Sequence, residues 1–312
     1  MRMHDIGRRD ALRRIGMAAA GLAMASARDS GAASPPSGTM HQRAIPATGE
    51  TLPVIGIGTW QTFDVGGAVE RAPLEDVLRV FAQMGGRMID SSPMYGRSEE
   101  VAGELVAALG VPARPFIATK VWTSGKDEGI RQMRDSMRKL RVKVCDLMQV
   151  HNLLDVDTHL DTLAGWKKEG LVRYVGVTHY TASGADAVAK VISRRPVDFV
   201  QINYSVAERD AEQRLLPLCR DKGVAVIANR PFAGGDMFRR LRGKALPPWA
   251  AEIDCASWAQ LMLKFIVSHP AMTCAIPASA KPEHTRDNMA GGYGRMPDEA
   301  MRARIAEAVG RA

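Results

Sequence analysis

From residue 55 to the C-terminus, short apolar runs alternate with longer segments whose apolar positions recur at helical spacing. The short runs, bounded by Gly, Pro and Asp, predict buried strands over 55–59, 87–90, 115–120, 145–150, 172–178, 198–203, 224–228 and 273–276. The segments between them predict helices over 73–84, 99–109, 129–140, 158–169, 182–192, 210–222 and 254–268. Two more helices, 282–289 and 298–309, close the chain, and 231–248 is a loop rich in Gly and Pro. Ahead of the first strand, residues 45–54 read as a small hairpin with Thr48-Gly49-Glu50 at its tip, placed to plug one end of the fold.

Strands that alternate with helices imply a parallel sheet. Eight such units over about 270 residues match an α/β fold of the closed (β/α)8 TIM barrel type, since open doubly wound sheets usually have fewer strands. The run Ile55-Gly56-Ile57-Gly58-Thr59-Trp60 lacks a third glycine and an immediate helix, so it is not a dinucleotide-binding fingerprint. Composition does not change between the two halves, which predicts one domain over 41–312.

The N-terminus changes this picture. Arg8-Arg9 and Arg13-Arg14 precede a mildly apolar stretch, residues 15–24, and then Ala25-Ser26-Ala27. A basic region, a short apolar region and a small-residue cleavage site make residues 1–27 look like a twin-arginine signal peptide. The expectation is export through the twin-arginine machinery to the periplasm or beyond, without stable membrane insertion, and a cytoplasmic protein if the signal is not used. Residues 28–40 then read as a flexible linker. Of the net charge of +8, this segment holds +3, and the remaining basic residues are scattered without interleaved aromatics, which argues against a nucleic-acid face. Cys145, Cys219, Cys255 and Cys274 form no CxxC pair, so neither a metal site nor a disulfide framework is expected.

In a (β/α)8 barrel the chemistry lies at the C-terminal ends of the strands. There the chain places Asp90 and, in the next loop, Tyr95; then Lys120; then His151. Each alone has a bland explanation as a turn cap, a packed ring, an edge charge or a loop partner. Together they form a proton-delivery set. A phenol is a poor acid near neutrality, a cation such as Lys120 would lower its pKa, Asp90 would hold that cation, and His151 would bind the protonated atom. With no nucleophile or metal cluster, this set suits carbonyl reduction by hydride from a cofactor. A Schiff-base role for Lys120 leaves Asp90 and Tyr95 without work, and a nucleotide-binding sensor with little turnover is the remaining alternative.

The run Ile89-Asp90-Ser91-Ser92-Pro93-Met94-Tyr95-Gly96, with Lys120 and His151 at matching spacing, resembles the aldo-keto reductases over residues 45–288. The resemblance implies Tyr95 as proton donor, Lys120 and Asp90 as its tuners, His151 as the group that orients the carbonyl, and NADP as cofactor. It implies that Thr59, Trp60 and Asp90 border the cofactor, that Thr178, His179 and Gln201 meet the nicotinamide carboxamide, and that Arg230-Pro231 lies beside the phosphates. Ile276, Ser279, Lys281, His284 and Asn288 would hold the adenosine end. Asn229 stands where many members have a stacking aromatic and Ala278 where many have a lysine, so NAD is kept as the alternative to NADP. With a short loop at 152–157 and a short tail, an open site lined by Trp60, Met94, Trp122 and Phe232 is expected, admitting varied small carbonyls.

Overall fold

The computed structural model describes residues 38–311; the twin-arginine segment and most of the linker lie outside the described residues. The fold begins slightly earlier than the sequence pattern suggests, because Met40, read as the end of the linker, is buried in the core and packs against Gly292.

A hairpin of β1 (Gln42–Ala44) and β2 (Thr51–Pro53) opens the domain. Next come β3 (Ile57–Gly58), α1 (Ala68–Gln83), β4 (Met88–Asp90), α2 (Ser98–Leu109), β5 (Phe116–Val121), α3 (Lys126–Lys139), β6 (Cys145–His151) and α4 (Val156–Lys168). The second half runs β7 (Val172–His179), α5 (Ala185–Arg194), β8 (Phe199–Asn203), α6 (Leu215–Asp221), β9 (Ala225–Asn229), α7 (Asp236–Arg240), α8 (Trp258–Val267), β10 (Cys274–Ala275), α9 (Pro282–Ala290) and α10 (Glu299–Gly310).

Strands β3 to β10 pair in sequence order, all parallel. Parallel bridges Ile55 to Ala275 and Gly58 to Ala278 bring the last strand back to the first and close the (β/α)8 barrel. The seam is tight. A Cβ on Gly56 would sit 2.9 Å from the Met88 carbonyl oxygen and 3.2 Å from Cys274 Sγ, so a larger residue there would hold the first strand away from its neighbours.

Apolar packing divides into two clusters. The larger lies between the strands and the helix ring. The smaller fills the barrel interior with Met88, Phe116, Leu147, Tyr174, Phe199 and Ile227, and the hairpin adds Ile45 and Leu52 to it. The hairpin therefore plugs the N-terminal end of the barrel, as its position in the chain suggests. A polar rim holds it there. Thr48 Oγ1 lies 2.7 Å from the Tyr174 hydroxyl, and Glu50 bonds Tyr174, Arg87 and Arg173.

Several helices differ from their sequence pattern; α8, expected from residue 254, starts at Trp258, where Ser257 Oγ accepts the Gln260 amide. Helix α1 starts five residues before Pro73, because the Glu70 carboxylate accepts the Gly66 and Gly67 amides at 2.6 and 3.2 Å and caps an earlier turn. The expected helix at 210–222 breaks into a 3-10 turn, Asp210–Glu212, and α6. Within the expected loop at 231–248, α7 forms where Phe232 packs on Phe238 with ring centroids 4.7 Å apart. No helix among the described residues is long and apolar enough to cross a membrane.

The hairpin plug yields a stability prediction. Leu52→Ala removes a fully buried side chain from the barrel interior and should cost about 2–5 kcal/mol. Urea unfolding followed by circular dichroism measures it, with the exposed Val69→Ala expected to stay within about 0.5 kcal/mol of the parent.

Candidate active site

Strand register brings the ionisable residues together. Asp90 ends β4 opposite Ala118 of β5, and Lys120, two residues further on, points to the same face. Lys120 Nζ donates to Asp90 Oδ2 at 2.7 Å and to the Ser91 carbonyl oxygen at 2.6 Å. The other carboxylate oxygen accepts from Gln201 Nε2 at 2.8 Å and from Gln149 Nε2 at 3.3 Å. Both ions are shut away from solvent, with Lys120 0% and Asp90 2% exposed. Burial is the largest single influence on the Lys120 ammonium and alone would push its pKa down; Asp90 and Tyr95 together outweigh it and leave the value above that of an ordinary lysine. A permanently charged ammonium is a poor Schiff-base nucleophile, which removes support for that reading.

Tyr95 sits on the loop after β4. Its ring centroid lies 5.1 Å from Lys120 Nζ and 6.1 Å from the His151 ring, which it meets edge-on. Gly96 follows at φ +59°, and the Asp64 carboxylate occupies the space that a Cβ there would need; Asp64 Oδ1 accepts the Arg97 amide at 2.9 Å and fixes the exit into α2. Lys120 lowers the Tyr95 pKa, as the sequence suggests, but it is not the largest influence. Burial raises the Tyr95 pKa more than Lys120 lowers it, and Asp90 adds to the rise, so the phenol is held protonated.

His151, at the end of β6, is driven down to about 3 by burial first, then by Lys120 and His179. It is therefore a neutral imidazole near neutrality. Its Nδ1 lies 3.2 Å from Ser92 Oγ, and Trp122 flanks the ring at 6.4 Å between centroids.

Around this centre the other sequence-derived residues fall into three groups. Thr59, Thr178 and Gln201 are engaged with the centre itself. Thr59 Oγ1 donates to the Ser91 hydroxyl oxygen at 2.9 Å, and Thr178 Oγ1 donates to Gln201 Oε1 at 3.2 Å. Gln201 thus bridges Thr178 and Asp90, a role that the resemblance did not assign. His179 Nδ1 receives the Thr181 amide at 3.3 Å, which leaves Nε2 to carry the proton.

The rim forms the second group. Trp60, Met94 and Trp122 are 44%, 41% and 42% exposed, whereas Phe232 packs against Phe238 and the core. Arg230 is half-buried at φ +49°, and Pro231 beside it is buried. The third group lies around β10 and α9. Lys281 and His284 are exposed; Ile276, Ser279 and Asn288 are buried. Ser279 spends its hydroxyl on Lys281, accepting its amide at 3.1 Å, and with Asn288 lines a cavity of about 10 Å³, room for one water.

Sequence reasoning gave no role to Ser92, Gln149 and Asn203. The period of a strand was a usable signal for the latter two, since Gln149 lies two residues before His151 and Asn203 two after Gln201. Asn203 pairs in register with Asn229, and the Oδ1 atoms of both, like Gln149 Oε1, are buried without a partner. Among the described residues no group of three or more His, Cys, Asp or Glu side chains could hold a metal ion. The four cysteines are free and buried, and burial raises all four thiols, Cys219 to about 12 and Cys255 to about 11.

A barrel with these groups at the C-terminal ends of its strands has the form of a carbonyl oxidoreductase. Residues 54–304 match the model of the Aldo/keto reductase family, and the chain belongs to that family. It is 28% identical over 260 residues to the methylglyoxal reductase YeaE of Escherichia coli, covering 80% of this chain and 89% of that protein. An uncharacterized oxidoreductase of Schizosaccharomyces pombe is 30% identical over 227 residues, 68% of this chain and 71% of that one. Among solved structures, an aldo/keto reductase from Klebsiella pneumoniae in complex with NADP and acetate superposes with a TM-score of 0.67 at 25% identity, covering 84% of this chain and 93% of that chain. The thermostable aldo-keto reductase Tm1743 shares the fold, with a TM-score of 0.70 at 24% identity over 86% of this chain and 99% of that chain.

The His151 environment predicts a pH effect. Its folded pKa of about 3 lies below the unfolded value of 6.5, so the unfolded state binds the extra proton between them and stability falls as pH drops through that window. His151→Gln should flatten the slope by up to about 1.4 kcal/mol per pH unit. Unfolding free energies at pH 7, 6, 5 and 4 measure the difference.

Proposed function

We propose that this chain is an NADPH-dependent reductase of small aldehydes and ketones, with Tyr95 as the acid. The observation that carries the reading is a partly buried phenol, held protonated, whose ring centroid lies 5.1 Å from a buried, charged lysine and which meets a neutral imidazole edge-on. In this reading the carbonyl oxygen lies between Tyr95 and His151. Reduced nicotinamide, when bound, supplies a hydride to the carbonyl carbon. Tyr95 gives its proton to the oxygen and is left as phenolate, which the Lys120 ammonium stabilises. Asp90, held by Gln149 and Gln201, keeps that ammonium in place. Solvent then reprotonates Tyr95.

The residues present fit a dinucleotide. The unpartnered Oδ1 atoms of Asn203 and Asn229 are acceptors for a carboxamide NH2 at the barrel mouth, His179 Nε2–H is a donor for its oxygen, and Arg230 is a half-buried cation suited to phosphate. Lys281 and His284, both exposed on the last turn before and first turn of α9, are suited to the 2′-phosphate that distinguishes NADP from NAD. The relatives named above as acting on methylglyoxal and binding NADP support the substrate class and the cofactor. The exposed rim of Trp60, Met94 and Trp122 supports an open site for varied small carbonyls.

NADPH oxidation with methylglyoxal and with an aromatic aldehyde tests the reading. Tyr95→Phe should lose roughly 10²- to 10⁴-fold in kcat while NADPH still quenches protein fluorescence with an unchanged Kd. Turnover that survives the substitution would remove Tyr95 as the acid. The order of basic, apolar and cleavage features in residues 1–27 supports export by the twin-arginine route. Fused to a reporter, these residues should direct it to the periplasm, and Arg8→Lys with Arg9→Lys should abolish that transfer.

A further inference from the structure

Ser92 lies in the turn between β4 and Tyr95, and its contacts run to both sides of the reacting centre. Its carbonyl oxygen accepts the Tyr95 amide at 3.0 Å, which anchors the backbone of the tyrosine. Its buried hydroxyl oxygen lies 3.2 Å from His151 Nδ1 and receives the Met94 amide at 3.4 Å. An amide N–H only donates, so Oγ accepts from Met94 and its own proton needs an acceptor. Among the described residues, His151 Nδ1 is the acceptor within hydrogen-bond distance.

The two arrangements of this pair are not equivalent. If Nδ1 carried the imidazole proton, the Ser92 oxygen would accept twice and its own hydrogen would be left without a partner at a fully buried hydroxyl, a costly state. Nε2 would then present a lone pair to the barrel mouth, where a carbonyl oxygen would be repelled. If Ser92 donates, its oxygen, its proton and His151 Nδ1 are all satisfied, and Nε2 carries the ring hydrogen. We propose that Ser92 is a positioning residue: its hydroxyl donates to His151 Nδ1, which fixes the imidazole as the Nε2–H tautomer and sets the ring so that this N–H meets the substrate carbonyl oxygen. The proposal rests on the reading of His151 as the group that binds that oxygen. The edge contacts of the ring with Tyr95 and Trp122 confine it on its other sides, so the Ser92 bond is the contact that chooses between tautomers.

The test uses full-length protein labelled with 15N at histidine, with the His151 ring signals assigned by comparison with His151→Gln. At pH 7 the wild type should show a single neutral Nε2–H tautomer with its Nδ1 resonance displaced by an accepted hydrogen bond. Ser92→Ala should move that Nδ1 resonance, and Ser92→Thr, which keeps the hydroxyl, should restore it. In turnover, Ser92→Ala should lower kcat on the order of 10-fold through a loosened ring while the Kd for NADPH stays unchanged, and Ser92→Thr should recover most of the loss. An Nδ1–H tautomer in the wild type, or His151 resonances identical in wild type and Ser92→Ala, overturns the proposal. If no carbonyl is turned over by the wild type, the reading of function fails, and the ring resonances alone then decide whether Ser92 sets the tautomer.

Discussion

The ion pair between Asp90 and Lys120 constrains everything at the mouth of this barrel. Two charges without solvent access are tolerable only if they meet each other and if their remaining hydrogen-bonding capacity is used. Here the ammonium reaches a carboxylate oxygen and the Ser91 carbonyl, and the second carboxylate oxygen is taken up by two glutamine amides. Those partners come from β4, β5, β6 and β8, so the pair fixes four strand ends relative to one another. The closed barrel supplies the rigid frame, and the polar layer above its apolar filling supplies the charge.

From that layer follows the division of labour among the other groups. In the proposed reaction the charged lysine beside Tyr95 would stabilise the phenolate as it forms, and burial holds the phenol protonated beforehand. The same lysine and the same burial hold His151 neutral, the state in which the proposed reaction has it bind a carbonyl oxygen. One cation therefore acts in opposite senses on its two neighbours. It favours the charged form of an acid and disfavours the charged form of a base.

At the other end the barrel is closed by apolar contact and an ion-pair rim. Ile45 and Leu52 complete the interior cluster, and Glu50 ties the hairpin to Arg87, Arg173 and Tyr174. The separation is physical: packing and closure at the N-terminal end of the strands, exposed aromatics and unpaired amide oxygens at the C-terminal end. The C-terminal helix α10 docks through Arg302, which bonds Tyr204 and Glu212 and lies 4.2 Å from the Phe265 ring centroid.

The sequence by itself determined the barrel and the identity of its central residues. Eight buried strands leave an unmistakable alternation, and a two-residue period places Asp90, Lys120 and His151 at strand ends that face inward. Local capping was less legible. The start of α1 depends on a carboxylate reaching back to two glycine amides, and the sequence pattern assigned that start to Pro73 instead. Only the tertiary structure decided the sign of the Tyr95 shift, because it is a balance of burial against charge and neither can be weighed until the ring is placed. It also decided that Gln201 braces Asp90 and that Ser92 touches His151, contacts that span 111 and 59 residues of chain. A linear pattern reports which side of its own strand a residue faces. Which partner it meets across the barrel is set by closure.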